Sequence, residues 1–314
     1  MKQLSESEIT SLLDFKSLIE TLDEAFAADY SVPMRHHHNF ANPSSELEST
    51  LLLMPAWDNQ KYLGVKIVAV SPENVKLDLP TIQGMYLLFD IKTGTPLMRC
   101  DAKSLTSLRT AAASALASKY LSRKNSNVLL MIGTGALAPQ LIMAHATVRP
   151  IEKVYIWGRN FEKAQELVIQ LQAVNFECEV VENIEDTIAS VDIISCATLS
   201  KDPLIKGEWL QPGQHLDLVG SYQKHMREAD DESVLKATVF VDTLQGAPKE
   251  SGDLFIPIQK GIFTKEDIKA DLFEMCSSEK DTFRNNEKEI TYFKSVGHAL
   301  EDLAAASLAF ERIV

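Results

Sequence analysis

Five consecutive apolar residues, Val128 to Ile132, run directly into Gly133-Thr134-Gly135, and Ala138 and Pro139 follow two residues later. An apolar run of that length, bounded by turn residues, has the form of a fully buried strand. A chain that leaves such a strand through Gly-x-Gly-x-x-Ala and enters a helix describes the tight turn of a βαβ unit of about 30 residues. Each small residue has a physical task there. Gly133 permits the turn, Gly135 lets backbone approach a ligand closely, and Ala138 lets helix and strand pack together. The helix start then offers unpaired N–H groups and the positive end of its dipole to an anion. A plain βα turn of small residues is the bland alternative. The strand on one side and the helix on the other favour a site for the pyrophosphate of a dinucleotide.

The rest of the central chain agrees with that unit. Beyond Arg123-Lys124-Asn125-Ser126-Asn127, short apolar segments alternate with helical ones: Val128–Ile132, Val154–Trp157, Cys178–Val181, Asp192–Cys196, His215–Val219 and Val239–Asp242. Such alternation predicts a parallel sheet covered by helices. The N-terminal part has a different pattern. Ser5 and Glu8 have the spacing of a capping box, and apolar residues then recur at helical spacing through Phe26, so one helix is expected over about 6–29. Leu51–Pro55, Tyr62–Val70 and Gln83–Asp90 look like strands. The turn Lys92-Thr93-Gly94-Thr95-Pro96 joins the last of them to Leu97–Cys100 as a hairpin. Ala-rich helices are expected over about 104–120 and 297–314.

Composition excludes several classes of function. At 314 residues, 45% hydrophobic and 24% charged, the chain has the balance of a globular enzyme large enough for two domains. A net charge of −13 repels nucleic acid, and the only small basic cluster, Arg123-Lys124, has the character of a solvated loop. No apolar run approaches the roughly 18 residues of a membrane span, and the N-terminus lacks the pattern of a secretory signal. Cys100, Cys178, Cys196 and Cys276 are scattered and suit reduced thiols, so a cytoplasmic protein is expected. No metal site is expected. Adjacent histidines on an extended segment, such as His36-His37-His38, point to alternate sides.

The end of the second central strand bears on which dinucleotide binds. NAD sites usually place a carboxylate there for the ribose hydroxyls. This chain reads Trp157-Gly158-Arg159-Asn160. An arginine can pair with a 2′-phosphate that a carboxylate would repel, so NADP(H) is preferred and NAD(H) remains possible. Thr198, following the fourth strand, is a further cofactor contact, whereas Cys196 has no histidine partner to make it a nucleophile.

The chain as a whole resembles the ornithine cyclodeaminase/mu-crystallin family. The resemblance is carried by Gly64-Val65-Lys66, Leu79-Pro80-Thr81, Leu105 to Ser114, the glycine turn, Pro203-Leu204-Ile205, Trp209-Leu210-x-Pro212-Gly213, Glu250-Ser251-Gly252-Asp253 and Phe293 to Gly297. It implies a homodimer with an α/β architecture of two parts. Residues 1–120 with 297–314 would form an α+β substrate-binding and dimerisation domain, and 121–296 a Rossmann domain. The cofactor contacts it implies, together with those above, are Thr110, Gly133, Thr134, Gly135, Ala136, Leu137, Arg159, Thr198, Gly220 and Ser221.

Arg35, Lys66 and Arg109 match positions the family uses around its substrate. The chemistry suits them, because an amino or imino acid carries a carboxylate that an arginine fork can hold in a bidentate pair. Lys66 lies inside an apolar strand beside Gly64, so its amine is expected to be partly buried and to titrate below the usual lysine range. As a surface charge or a helix-face charge, Arg35 and Arg109 could be explained blandly; Lys66 is harder to explain so.

In one respect the chain departs from the family. Ornithine cyclodeaminases, and the alanine dehydrogenases similar to them, carry a catalytic aspartate shortly after the fifth Rossmann strand, where this chain has Val219-Gly220-Ser221-Tyr222. Without that base, cyclodeamination is poorly supported. The sequence resembles instead the branch that reduces cyclic ketimines with NAD(P)H: Δ1-pyrroline-2-carboxylate to L-proline and Δ1-piperideine-2-carboxylate to L-pipecolate. The expected catalytic residues are Lys66, Arg109, Arg35 and Ser221, with Lys66, Ser221 or a water holding the proton on the imine nitrogen. The alternatives are an ornithine cyclodeaminase or alanine dehydrogenase-like enzyme, and a non-catalytic protein that binds NADPH and a small ligand.

Overall fold

The computed structural model describes all 314 residues, and the chain divides into two compact units, Met1–Arg109 with His298–Val314, and Thr110–Gly297. The first begins with β1 (Lys2–Leu4), α1 (Glu6–Leu12) and α2 (Phe15–Ala27). The single helix expected over 6–29 is therefore two. Leu13 leaves the helical backbone, and the Asp14 carboxylate accepts from the N–H of Ser17 at 2.9 Å, so the chain restarts with a fresh cap. Next come β2 (His36–Phe40), β3 (Ser49–Trp57), β4 (Tyr62–Val70), β5 (Ile82–Asp90) and β6 (Pro96–Asp101), and then the helix α3 (Ala102–Leu121). The sequence division at 120/121 and the unit boundary at 109/110 both fall within α3.

The second unit contains β7 (Val128–Ile132), α4 (Ala138–Val148), β8 (Lys153–Trp157), α5 (Phe161–Gln170), β9 (Glu177–Val180), α6 (Ile184–Ile188), β10 (Ile193–Cys196), β11 (His215–Leu218), α7 (Asp231–Lys236), β12 (Thr238–Val241), α8 (Ala247–Glu250), α9 (Gly252–Gln259), β13 (Ile268–Asp271), α10 (Leu272–Cys276) and β14 (Thr291–Lys294). Its eight strands pair in parallel in the order β13-β12-β14-β11-β10-β7-β8-β9. This is the expected helix-covered sheet. It also holds β13 and β14, which the apolar pattern did not reveal. The order reverses at β7, which has β8 on one side and β10 on the other. Loops at the carboxyl ends of those strands diverge and leave a crevice. Arg123 is not the solvated charge expected: its guanidinium pairs with Asp192, whose Oδ2 also accepts from the N–H groups of Asn127 and Val128.

The helix α11 (Ala299–Glu311) belongs to the first unit and packs against α2, β3 and β4. The first unit's sheet has the order β1-β6-β5-β4-β3-β2, antiparallel except for the β1–β6 pair. Successive side chains on a strand face opposite sides. One side carries the buried Met54, Ala56, Tyr62, Lys66, Tyr86 and Leu88. The other carries three aligned rows, Leu53–Ile67–Met85, Pro55–Val65–Leu87 and Trp57–Leu63–Phe89, and none of these nine residues is fully buried.

Candidate active site

Two constellations stand out, one in each unit. In the second unit a cleft of about 650 Å³ opens over the carboxyl ends of β8, β7, β10 and β11. Gly133 leaves β7 with φ of 116°, and a Cβ there would lie 2.5 Å from the carbonyl oxygen of Ala197. Only glycine meets both conditions. A Cβ built on Gly135 would meet nothing within 4 Å, because this position faces the open cleft. The space that a side chain would fill is therefore free for a ligand to approach the backbone. Thr134 and Leu137 line the same turn, and the helix α4 begins at Ala138.

The cleft runs from Arg159, Asn160 and Lys163 at one end to Thr198, Gly220 and Tyr222 at the other. Asn160 caps α5 by accepting from the N–H of Lys163 at 3.0 Å. Neither aspartate nor glutamate lines the cleft. Of the cofactor contacts expected from sequence, Ala136 is exposed at the turn and Thr110 is buried in α3, and neither lines the cleft. Lys163, whose charge adds to that of Arg159, escaped sequence reasoning. Its position one turn into α5 was the available signal.

Ser221 does not line the cleft either. It is fully buried, and its hydroxyl donates to the Asp253 carboxylate and lies 2.9 Å from Ser251 Oγ. Burial drives the Cys196 thiol well above its ordinary pKa, which disfavours the thiolate.

The first unit holds a buried ionic cluster. Lys66, from β4, lies with Nζ 2.7 Å from Asp302 Oδ2 and 3.4 Å from Thr106 Oγ1. Arg109, from α3, donates through Nε to Asp302 Oδ1 at 3.0 Å and through Nη1 to Glu301 Oε2 at 2.6 Å. All four charged groups are withdrawn from water, and their formal charges balance. Burial lowers Lys66 to about 8, with Arg109 and Arg35 pushing the same way and Asp302 opposing. For Arg109, burial works against the charge, but Asp302 and Glu301 overcome it and raise the pKa. Asp302 is held below the usual carboxylate range, because Arg109 and Lys66 outweigh its own burial.

The structure thus joins Lys66 and Arg109 through one carboxylate. Half-buried Arg35 is near enough to bear on both Lys66 and His298. His298 caps the start of α11, and burial together with Arg35 lowers it to about 4, so it is neutral at pH 7. The expectation that Arg109 offers a whole fork to a ligand needs correction. Its Nε and Nη1 already serve Asp302 and Glu301, so Nη2 is the nitrogen that remains. Sequence reasoning missed Asp302 and Glu301. Acids in a helix's first turn are explained by the helix dipole alone. The usable signal was that two cations in apolar segments demand buried anions, and Glu301-Asp302 interrupt an otherwise apolar helix.

Comparison with known proteins shows the family and the fold. The sequence model of the ornithine cyclodeaminase/mu-crystallin family matches residues 1–314. The Delta(1)-pyrroline-2-carboxylate reductase of Colwellia psychrerythraea is 41% identical, over 100% of this chain and 99% of its own. Among solved structures, the Thermococcus litoralis Delta(1)-pyrroline-2-carboxylate reductase in complex with NADH and L-proline superposes with a TM-score of 0.92 at 35% identity, covering 99% of this chain and 97% of that one. An archaeal alanine dehydrogenase dimer with bound NAD has a TM-score of 0.90 at 31% identity, covering 99% and 95%.

Proposed function

Because the chain belongs to the ornithine cyclodeaminase/mu-crystallin family, we propose that it is an NAD(P)H-dependent reductase of cyclic ketimines, converting Δ1-pyrroline-2-carboxylate to L-proline and Δ1-piperideine-2-carboxylate to L-pipecolate. The observation that carries this reading is the acid-free cleft. The loop after β11 carries Ser221 and Tyr222, and Asp253 beside it is buried and hydrogen-bonded, so no carboxylate of the kind a deaminase requires lines this cleft. Relatives and solved neighbours named as reductases of this imine point the same way.

Reduction of a preformed cyclic imine asks little proton chemistry of the protein. When bound, the reduced nicotinamide supplies a hydride. The hydride adds to C2, the π pair of the C=N bond passes to nitrogen, and nitrogen keeps the proton that made it an iminium. The protein's task is to hold the substrate carboxylate and keep that proton in place. Arg35 and the Nη2 of Arg109 suit the carboxylate. Lys66 suits the proton, because an amine lowered to about 8 exchanges protons readily near neutral pH. Ser221 is the weaker candidate, its hydroxyl being already engaged by Asp253 and Ser251.

The dinucleotide is NADP(H) in preference to NAD(H). Arg159 and Lys163 supply positive charge at the end of the cleft beyond β8, where no carboxylate competes. The active form is a homodimer. The nine apolar side chains on the open face of the first unit's sheet form a patch that a second copy would cover. No helix is long and apolar enough to cross a membrane, and the site of action is the cytoplasm.

One spectrophotometric assay tests the central claim. NADPH oxidation is followed with pyrroline-2-carboxylate, with piperideine-2-carboxylate and with pyruvate plus ammonia, and ornithine is tested separately for ammonia release. Turnover of the two cyclic imines alone is expected. Ammonia release from ornithine would restore the deaminase reading, and NADPH binding without any turnover would mean a pure binding protein.

A further inference from the structure

We propose that Glu228 is a positioning residue that shapes the hydride-transfer end of the dinucleotide cleft by clasping two of its loops; this rests on the dinucleotide reading above. Glu228 is fully buried. Its Oε1 accepts from the N–H of Thr198 at 2.7 Å and from Thr198 Oγ1 at 3.0 Å. Its Oε2 accepts from the N–H of Gly220 at 2.7 Å and from the N–H of Ser221 at 3.2 Å. One carboxylate thus ties the loop after β10 to the loop after β11, and Thr198 and Gly220 both line the cleft.

The clasp is itself held in place. Asp253 Oδ1 accepts from the N–H groups of Glu228 and Ala229 at 2.8 and 3.1 Å. Lys294 Nζ, from β14, lies 3.7 Å from Glu228 Oε2 and 3.4 Å from Asp253 Oδ2 and supplies the counter-charge. Burial, with Asp253, raises the Glu228 carboxyl against the pull of Lys294, while the four donors aimed at its two oxygens favour the ionised form. Gly220 shows how closely the loops approach. A Cβ there would lie 2.0 Å from the Thr198 carbonyl oxygen and 2.6 Å from Glu228 Oε1.

The sheet order decides which end of the dinucleotide feels the clasp. Along β8-β7-β10-β11, Arg159 follows β8, whereas Thr198 and Gly220 follow β10 and β11. On that reading the glycine turn after β7 would hold the pyrophosphate and Arg159 the 2′-phosphate, which would leave the nicotinamide half to the Glu228 end.

The test is Glu228→Gln, whose amide keeps one acceptor and turns a donor towards the N–H groups of one loop. NADPH affinity, read by fluorescence, is expected to fall about tenfold, the effect of losing one charged acceptor. Affinity for adenosine 2′,5′-bisphosphate, which occupies only the far end, is expected to stay within about twofold. Equal losses for both ligands, or no loss for NADPH, overturn the proposal. Should Glu228→Gln fail to fold, Thr198→Val removes one of the four bonds. An NADPH loss of about threefold with an unchanged fragment supports the clasp, and parallel or absent losses reject it. If the unaltered protein binds neither NADPH nor the fragment, the dinucleotide reading itself is wrong.

Discussion

Lys66 Nζ and Asp302 Oδ2 lie 2.7 Å apart, one on β4 and the other on α11, and both side chains are almost wholly hidden from water. A buried ion pair of this kind adds little net stability, but it fixes the state of each partner. The balance at Lys66 has a sign that can be tested. Burial, Arg109 and Arg35 favour its neutral form, Asp302 favours the charged form, and the outcome is about 8. If protonated Lys66 donates the proton that converts the neutral imine to the iminium, kcat/KM falls as pH rises through about 8. Asp302→Asn removes the group that favours the charge, so the alkaline limb moves to lower pH. Arg109→Gln removes a repelling charge, so the limb of its residual activity moves to higher pH. A pH profile that both variants leave in place removes Lys66 from this role.

The same pair predicts a stability trend. The folded pKa of Lys66 lies below its ordinary 10.5. Between those two values the unfolded chain binds a proton that the native chain does not, so this group's contribution to stability rises with pH across the window and is flat on either side. The denaturant midpoint of the native protein should therefore gain on that of Lys66→Met between pH 7 and pH 10. An unchanged difference would mean that Lys66 is not shifted.

Arg109 bridges Asp302 and Glu301 through two different nitrogens, which a lysine cannot do. Arg109→Lys therefore leaves one buried carboxylate without its partner, an uncompensated charge that costs about 3–5 kcal/mol. Thermal unfolding reads that loss, and kcat/KM for the cyclic imine is expected to fall by about 100-fold or more, because the carboxylate-binding nitrogen moves as well. A variant with native melting behaviour and near-native turnover would show that the fork carries neither load.

How far the sequence foretold these features depended on whether their signal was local. The strand Val128–Ile132 and the turn after it were legible because each residue's task is settled by its immediate neighbours, and the structure gives Gly133 the positive φ and Gly135 the open approach. The break at Leu13-Asp14 was not legible, because apolar spacing continues across it and the capping carboxylate competes only once the chain turns. The strand β14 ends in Lys294, a charge that belongs in a core only when Glu228 and Asp253 come to meet it from elsewhere in the chain. Lys66 and Arg109 could be singled out as cations in apolar surroundings. Their anions could not, since Glu301 and Asp302 resemble any acidic first turn until α11 packs on the sheet.

Gly64 lies two residues before Lys66 on the same side of β4. A Cβ on it would fall 2.0 Å from the hydroxyl oxygen of Tyr86, the fully buried residue directly opposite Lys66 on β5. Gly64→Ala must therefore displace a large ring that has no free volume to enter. The cost is about 1–3 kcal/mol of overpacking, and Lys66 shifts with the ring. Calorimetry should show the destabilisation, and the imine KM should rise more than the NADPH KM. Gly64→Ala combined with Tyr86→Phe, which deletes the nearest clashing atom while ring carbons at 2.6 and 2.8 Å still crowd the new methyl, is expected to recover part of the loss. No recovery would place the strain elsewhere.

Arg159 and Lys163 are both exposed and both line the far end of the cleft, so their attraction for a 2′-phosphate is open to screening. A charge-assisted bond is worth about 1.5–3 kcal/mol, and exposed groups fall at or below the lower end. Arg159→Ala is therefore expected to raise the NADPH KM by about tenfold, Lys163→Ala by less, and the pair by more than either alone. The NADH KM should change little, because its ribose hydroxyl carries no charge for these residues to meet. Raising the salt concentration should weaken NADPH selectively in the native protein and have almost no such effect in the double variant. Arg159→Asp goes further, since a carboxylate repels the phosphate and can accept from the ribose hydroxyls, so it should invert the preference to NADH. Equal and small losses with both dinucleotides would show that the preference does not reside at Arg159.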